Sequence, residues 1–233
     1  MRSLRWSLEP LLKLLARFGL VVDTGGLGIN YAQFNVAYTD GQAEGRVQWN
    51  SDDGTLEYGL PGGTVNLQLG QEHVVRCRNE TGNPITNGRT VYVSGESGNK
   101  PLIGLADADV TNRIPEAVLL GLTTETIGDN SSGYVTLMGL VRDVNTDGIN
   151  PGTVVWLSTT PGEYTSTKPT APNSAVAVGT VITEGVGNGS IYVRVNVVPP
   201  LIGLRDVLSA APNDGDILVW VASNSRFELQ QPS

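Results

Sequence analysis

Alternation between apolar and polar positions organises most of this chain, and it is sharpest in Gly45–Leu60. Val47 and Trp49 alternate with polar neighbours up to Ser51-Asp52-Asp53-Gly54, and Leu56, Tyr58 and Leu60 alternate after it. That period of two is the signature of a β-hairpin. Pairing Asn50 with Thr55 sets Trp49 opposite Leu56 and Val47 opposite Tyr58, so four large apolar side chains share one face. Gly54 can supply the positive φ that closes such a loop. A hairpin alone is marginal in water, so this face requires a cover.

Ahead of the hairpin the period changes. Leu4, Leu8, Leu11, Leu15 and Phe18 follow a heptad-like seam, while Arg5, Glu9, Lys13 and Arg17 recur every fourth residue on another face. Pro10 is tolerated in a first turn capped by Ser7, and Gly19 is a natural stop. The pattern predicts a short N-terminal helix over about Leu8–Phe18. Three turns are too few to be helical alone in water. The helix therefore packs on its own domain, lies at a membrane interface with Trp6, or serves as an oligomerising or docking element. A signal peptide fits worst, because Glu9, Pro10, Lys13 and Arg17 interrupt the apolar run. Val22–Gly45 shows no clear period and reads as an extended linker, so residues 1–44 form a docking segment.

Beyond residue 60, turn signals recur at roughly ten-residue spacing, the mark of a sandwich or barrel. Candidate strands are Thr64–Leu69, His73–Arg78, Thr90–Val93, Leu102–Ala106, Ala117–Leu122, Tyr134–Val141, Thr153–Leu157, Val176–Ile182 and Ser190–Val198. Pro199-Pro200 then makes a stiff break. Ile217–Val221, a turn at Ser223-Asn224-Ser225 and Arg226–Leu229 form a last hairpin carrying Trp220 and Phe227. Some thirty residues with one hairpin cannot bury a core of their own. The fold expected is mainly β: a short-stranded β-sandwich or barrel body over 45–198, a short N-terminal helix, and a small C-terminal β-hairpin module over 199–233.

Composition narrows the classes. Among 233 residues there are 29 Gly and 13 Pro with only 16% charged, which suits many tight turns. A net charge of −8 and a pI near 4.6 argue against a general nucleic-acid binder. Arg2, Arg5, Lys13 and Arg17 against Glu9 make the N-terminal segment basic, which fits an anchor aimed at an acidic partner. One cysteine, Cys77, excludes an intramolecular disulfide. No apolar run approaches the ~18 residues of a membrane span.

Candidate chemistry is sparse. His73 and Cys77 on one strand share a face but lie ~13 Å apart, too far for a Cys–His pair. Asp143-x-Asn145-x-Asp147-Gly148 matches half of a calcium loop, yet Val154 stands where the bidentate Glu belongs and no helices flank it; a tight turn suits the same residues. Asp107 with Asp109, or Glu125 with Asp129, are paired carboxylates of the kind that hydrolyse glycosidic bonds, without a second signature. Neither a phosphate loop nor a dinucleotide fingerprint occurs. The expectation is no catalytic, metal or cofactor site.

The order Gly45-Arg46-Val47-x-Trp49-Asn50…Asp53-Gly54-Thr55-Leu56, Gly70-Gln71-Glu72, Arg76-x-x-Asn79-x-Thr81-Gly82 and Asn87-Gly88-x-x-Val91-Tyr92 resembles a family of structural proteins from tailed-bacteriophage virions, described as tail-fibre, head-fibre or capsid decoration proteins. Gly121-Leu122-Thr123, Gly133-Tyr134-Val135-Thr136, Gly139-x-Val141, Asn145-Thr146-x-Gly148, Gly152-Thr153 with Trp156-Leu157-Ser158, and Gly179-x-Val181 fit as well. Leu204-x-Asp206-Val207…Asp214-Gly215-Asp216-Ile217-Leu218-Val219-Trp220 with Phe227-Glu228 resembles a short module of phage fibres in which several chains wind together. The resemblance implies a non-enzymatic virion protein, a homotrimeric short fibre docked to capsid, portal or tail through residues 1–44. A capsid decoration (cement) protein is the alternative within that class, and a glycan-binding or glycan-degrading module the alternative outside it. A host-surface glycan or receptor is a further implied partner; assembly residues are Leu4, Leu8, Leu11, Leu15, Phe18, Val47, Trp49, Leu56, Tyr58, Trp220 and Phe227.

Overall fold

The computed structural model describes residues 20–23, 26–29, 33, 34, 36, 41, 43–109, 119–198, 204, 207 and 213–232. The helix expected over Leu8–Phe18, with its seam Leu4, Leu8, Leu11, Leu15 and Phe18, lies outside the described residues. Strands dominate the rest, and helix among the described residues is limited to the 3-10 turn Ala222–Asn224. The chain divides into two compact units, one up to Leu69 and one from Gly70.

In the first unit, strands β1 (Leu20–Asp23) and β2 (Gly26–Ile29) pair antiparallel from Leu20↔Ile29 to Asp23↔Gly26. Within the stretch Val22–Gly45, read from sequence as an extended linker, this short hairpin is an element the pattern did not reveal. Strands of four residues are too short for alternation to stand out from a Gly-rich background. Strands β3 (Val47–Asn50), β4 (Thr55–Gly59) and β5 (Asn66–Gln68) form a three-stranded sheet. Val47 pairs with Tyr58, Trp49 with Leu56 and Asn50 with Thr55, the register that alternation dictates. Gly54 closes the loop at φ +62°. β5 adds Leu67 opposite Tyr58 and Gln68 opposite Glu57, so it extends both the apolar and the polar row.

The second unit contains β6 (His73–Asn79), β7 (Thr90–Ser97), β8 (Lys100–Leu105), β9 (Leu119–Thr123), β10 (Ser131–Val144), β11 (Val154–Leu157), β12 (Tyr164–Thr165), β13 (Val176–Thr183) and β14 (Gly189–Val197). Their order in one sheet is β12-β11-β13-β14-β10-β6-β8-β7-β9, and β9 also pairs with β10. That second pairing closes a ring of β10, β6, β8, β7 and β9. Cys77, Ile85, Val91, Ile103, Ile127 and Val135 fill one core cluster. Val141, Val155, Leu157, Val176, Val178, Val181, Ile191 and Val193 belong to a second. β10 extends beyond the expected Tyr134–Val141 at both ends; at its C-terminal end the bulge after Arg142 breaks the alternation without ending the pairing. A separate hairpin, β15 (Ile217–Val221) and β16 (Arg226–Gln230), completes the chain.

The pairings of β6 to β10 recur in β10 to β14, with β10 shared. In the first copy β6 pairs with β10, β10 with β9, β9 with β7 and β7 with β8. In the second, β10 pairs with β14, β14 with β13, β13 with β11 and β11 with β12, and all of these pairs are antiparallel. The registers of β7 with β9 and of β11 with β13 agree to the residue. Val91↔Gly121 and Tyr92↔Leu119, with a bulge between them, match Val155↔Gly179 and Trp156↔Ala177, with the same bulge. A Cβ on Gly121 would stand 2.0 Å from the Thr136 carbonyl oxygen, and one on Gly179 would stand 2.3 Å from that of Tyr192. Only glycine lets the strands approach this closely at both places.

The turns repeat too. The Thr81 amide donates to Asn79 Oδ1 at 3.0 Å, and the Asp147 amide donates to Asn145 Oδ1 at 3.1 Å. The Gly82 amide donates to the Asp129 carboxylate, between β9 and β10, at 2.9 Å; the Gly148 amide donates to Glu184, between β13 and β14, at 3.1 Å. The copies differ in closure. β6 and β8 pair in parallel, through Asn79↔Ile103, whereas β12 has no such partner among the described residues.

The C-terminal hairpin repeats part of the unit again. Thr153 N donates to Asn150 O at 3.1 Å around Gly152 (φ +86°), and Asp216 N donates to Asn213 O at 3.1 Å around Gly215 (φ +87°). The pairs Trp156↔Thr165 and Leu157↔Tyr164 then recur as Val219↔Glu228 and Trp220↔Phe227. Phe227 also bridges Val207 in parallel, as Ile103 bridges Asn79.

Candidate functional surfaces

The three-stranded sheet of the first unit has two unlike faces. Val47, Trp49, Leu56, Tyr58 and Leu67 line one; Val47 is exposed and the other four are half-buried. Gln48, Asn50, Glu57 and Gln68 line the other, and here Glu57 and Gln68 are buried. The polar face is therefore the better covered of the two. Its side chains answer one another: Gln48 Nε2 donates to Glu57 at 2.8 Å, and Asn50 Nδ2 to Glu57 and to Asp53 at 3.0 Å each. Gln68 Nε2 donates to Asp53 as well. Alternation locates such residues on a face, but not the hydrogen bonds that allow the face to be buried.

On the C-terminal hairpin, Leu218, Trp220, Phe227 and Leu229 share a face through the pairs Leu218↔Leu229 and Trp220↔Phe227. The Trp220 and Phe227 rings meet edge to face, with centroids 5.1 Å apart. Arg226 and Asn224 both donate to Glu228 and hold its carboxyl below the usual carboxylate range.

The polar residues singled out for chemistry hold turns and strands. Cys77 is buried among Ile85, Val91, Ile103, Ile127 and Val135, and burial pushes its thiol up to about 12, far from a nucleophilic thiolate. His73 is exposed at the other end of β6. Glu125 accepts the Tyr134 backbone amide at 2.9 Å, and Asp129 accepts the Gly82 backbone amide and the Asn130 side-chain Nδ2. Asp107 accepts the Asp109 amide at 2.9 Å. Asn145 spends its side-chain oxygen on the Asp147 amide, and Asp143 sits at φ +56° in the bulge of β10. Among the described residues no three His, Cys, Asp or Glu side chains converge on a metal position, and no helix is long and apolar enough to cross a membrane.

Two residues missed as important are Asn79 and Thr146, both fully buried. Asn79 Nδ2 reaches the carbonyls of Asn83, Ile127 and Gly128 at 2.8, 2.9 and 3.3 Å. Thr146 Oγ1 donates to Thr183 O at 2.7 Å and accepts the Gly185 amide at 3.1 Å. Each ties the connection after the first strand of its copy to the one before the last strand, β9 to β10 or β13 to β14. The signal that marks them is the recurrence of Asn, a residue or two, and Gly after β6 and β10. Comparison of the chain with protein-family models and with curated proteins returns no match.

Proposed function

We propose that the chain is a non-enzymatic structural protein of a tailed-bacteriophage virion. It self-associates as a homotrimeric short fibre and docks through residues 1–44 to a capsid, portal or tail protein. The observation that carries the assembly part of this reading is the half-open apolar face of Val47, Trp49, Leu56, Tyr58 and Leu67, opposite a polar face that is already covered. A sheet whose polar side is the better covered and whose apolar side stays partly in water gains from burying that apolar side against another molecule. The virion assignment rests on the resemblance of Gly45–Val198 to phage fibre and decoration proteins, and threefold symmetry follows from the same resemblance.

Light scattering on the purified full chain tests it. A trimer is expected, and Trp49→Ala is expected to shift it towards smaller species while the β-sheet circular dichroism signal is kept. A chain that stays monomeric at high concentration overturns the assembly reading. Immuno-electron microscopy of virions with an antibody to residues 213–232 tests the location, and a virion without the epitope overturns that part.

A further inference from the structure

The two copies in the second unit differ in what covers one side of their strands. Thr90, Leu122, Thr136 and Val74 make a row across the first copy, in the register Thr90↔Leu122, Leu122↔Thr136 and Thr136↔Val74. The counterpart row of the second copy is Val154, Thr180, Tyr192 and Leu140. Thr90, Leu122 and Thr136 are buried, whereas Val154 and Tyr192 are 40% and 39% exposed. What covers the first row is the second copy itself. Leu122 shares a core cluster with Val155 and Leu157, Tyr164 packs against that cluster, and the Thr90 hydroxyl donates to Glu163 O at 3.3 Å. A repeat of this kind closes its outer side with the repeat that follows. Val155, Leu157 and Tyr164, which close the first copy, have Leu218, Trp220 and Phe227 as their counterparts in the C-terminal hairpin. Leu218 and Trp220 are 38% and 50% exposed. One chain therefore carries an outer face that stays partly in water together with a hairpin of the type that covers such a face.

We infer that the face of Val154, Thr180, Tyr192 and Leu140 binds the C-terminal hairpin of a second copy of this chain. Leu218, Trp220 and Phe227 then lie over it as Val155, Leu157 and Tyr164 lie over the first row. Within one chain the face and the hairpin are open together, so the cover is a neighbour's. Charge also favours this occupant over a second copy of the same face. Arg194 borders the row opposite Met138, and Lys168 stands 5.3 Å over the ring of Trp156, two residues along the strand from Val154. Residues 213–232 carry Asp214, Asp216 and Glu228 against Arg226 alone. Face-to-face pairing would bring the cations together, whereas the hairpin brings acids to them. Each chain has one face and one hairpin, so the contact runs head to tail, the kind that closes rings. This inference rests on the self-association proposed above and makes no use of the virion assignment.

The test uses the full-length protein with the photo-crosslinking residue benzoylphenylalanine in place of Tyr192. Illumination is expected to give a species of twice the chain mass on a denaturing gel, in which mass spectrometry finds a β14 peptide joined to residues 213–232. Trp220→Glu is expected to lower that yield by about tenfold or more while the circular dichroism spectrum is kept, and the milder Leu218→Ser is expected to lower it in the same direction. An unchanged yield in both variants overturns the inference. A link to residues 213–232 confined to the single-chain species also overturns it, because the hairpin then folds back on its own chain. So does a link to β14 of the neighbour, which would mean that two faces pair. A trimer in light scattering that gives no link to residues 213–232 overturns this inference alone, whereas a chain that stays monomeric overturns the self-association as well.

Discussion

Replacing Asn79 separates a turn that is merely tolerated from one that holds the ring together. The side chain is fully buried, donates to three carbonyls and accepts from the amide and hydroxyl of Thr81 at 3.0 and 2.8 Å. Asn79→Ala removes all of these at once. Ile127 O retains the Ile85 amide and Asn83 O retains the Thr81 hydroxyl, so the principal orphan is the Thr81 amide. At roughly 1 kcal/mol per net hydrogen bond, the loss of the three donated bonds to carbonyls is about 3 kcal/mol, and the exposed Thr81 amide can turn to water. Asn79→Asp keeps the acceptor for Thr81 but turns a carboxylate oxygen towards carbonyls that had received a donor. Near neutral pH it is expected to cost as much as Asn79→Ala or more.

The aspartate variant carries a sign that alanine does not. Facing carbonyl oxygens, its carboxyl titrates higher in the folded than in the unfolded chain, so the folded state holds the extra proton over that window. The penalty relative to wild type at the same pH is therefore largest above the window and shrinks as pH falls towards the ordinary aspartate value of about 3.9. Urea unfolding at a series of pH values measures this directly. If Asn79→Ala lies within about 0.5 kcal/mol of wild type, the residue is an ordinary surface position and the argument fails. A pH-independent penalty for Asn79→Asp would refute the carbonyl cage.

Gly121→Ala places a Cβ 2.0 Å from the Thr136 carbonyl oxygen, so β9 must move off β10 at a cost of about 3 kcal/mol, whereas Gly148→Ala meets nothing within 4 Å and strains only its φ of +70°, for about 1 kcal/mol; thermal unfolding ranks the two. Val135→Ala and Val193→Ala empty one core cluster each and are expected to lower a single shared transition by about 2 kcal/mol, because β10 belongs to both copies; two separate transitions in calorimetry would contradict the shared strand. Cys77 is expected to react with a thiol reagent only on unfolding. Its folded value of about 12 against an ordinary 9.0 means that the stability it contributes is complete below 9.0 and is lost as pH rises towards 12; Cys77→Ser removes that alkaline loss, and His73→Ala leaves stability unchanged.

The hairpin Val47–Tyr58 is legible because its two strands are short, contiguous and strictly alternating, so that the local pattern and the observed register coincide. The C-terminal hairpin is legible for the same reason. β10 is less so: its bulge after Arg142 shifts the alternation by one, and the period-2 reading ends there although the strand continues to Val144. The burial of Glu57 and Gln68 is invisible at the level of pattern, since a polar residue at an alternate position reads as solvent-facing until its partners are known.

The repetition was hidden for a different reason. Its two copies share little core sequence, because a core requires apolar bulk rather than particular residues. What they share is backbone constraint: Gly121 and Gly179 where strands approach too closely for a Cβ, and Asn79 and Asn145 where a side chain must imitate a turn. The means of tying the loop down then diverges, with Asn79 buried in the first copy and the neighbouring Thr146 taking over in the second while Asn145 stays exposed. Glycine and asparagine spacing that looks like generic loop composition is thus the conserved framework of the unit. The apolar strands between are the part free to vary: Val155 and Leu157 of the second copy have as counterparts Leu218 and Trp220, which are far more exposed among the described residues.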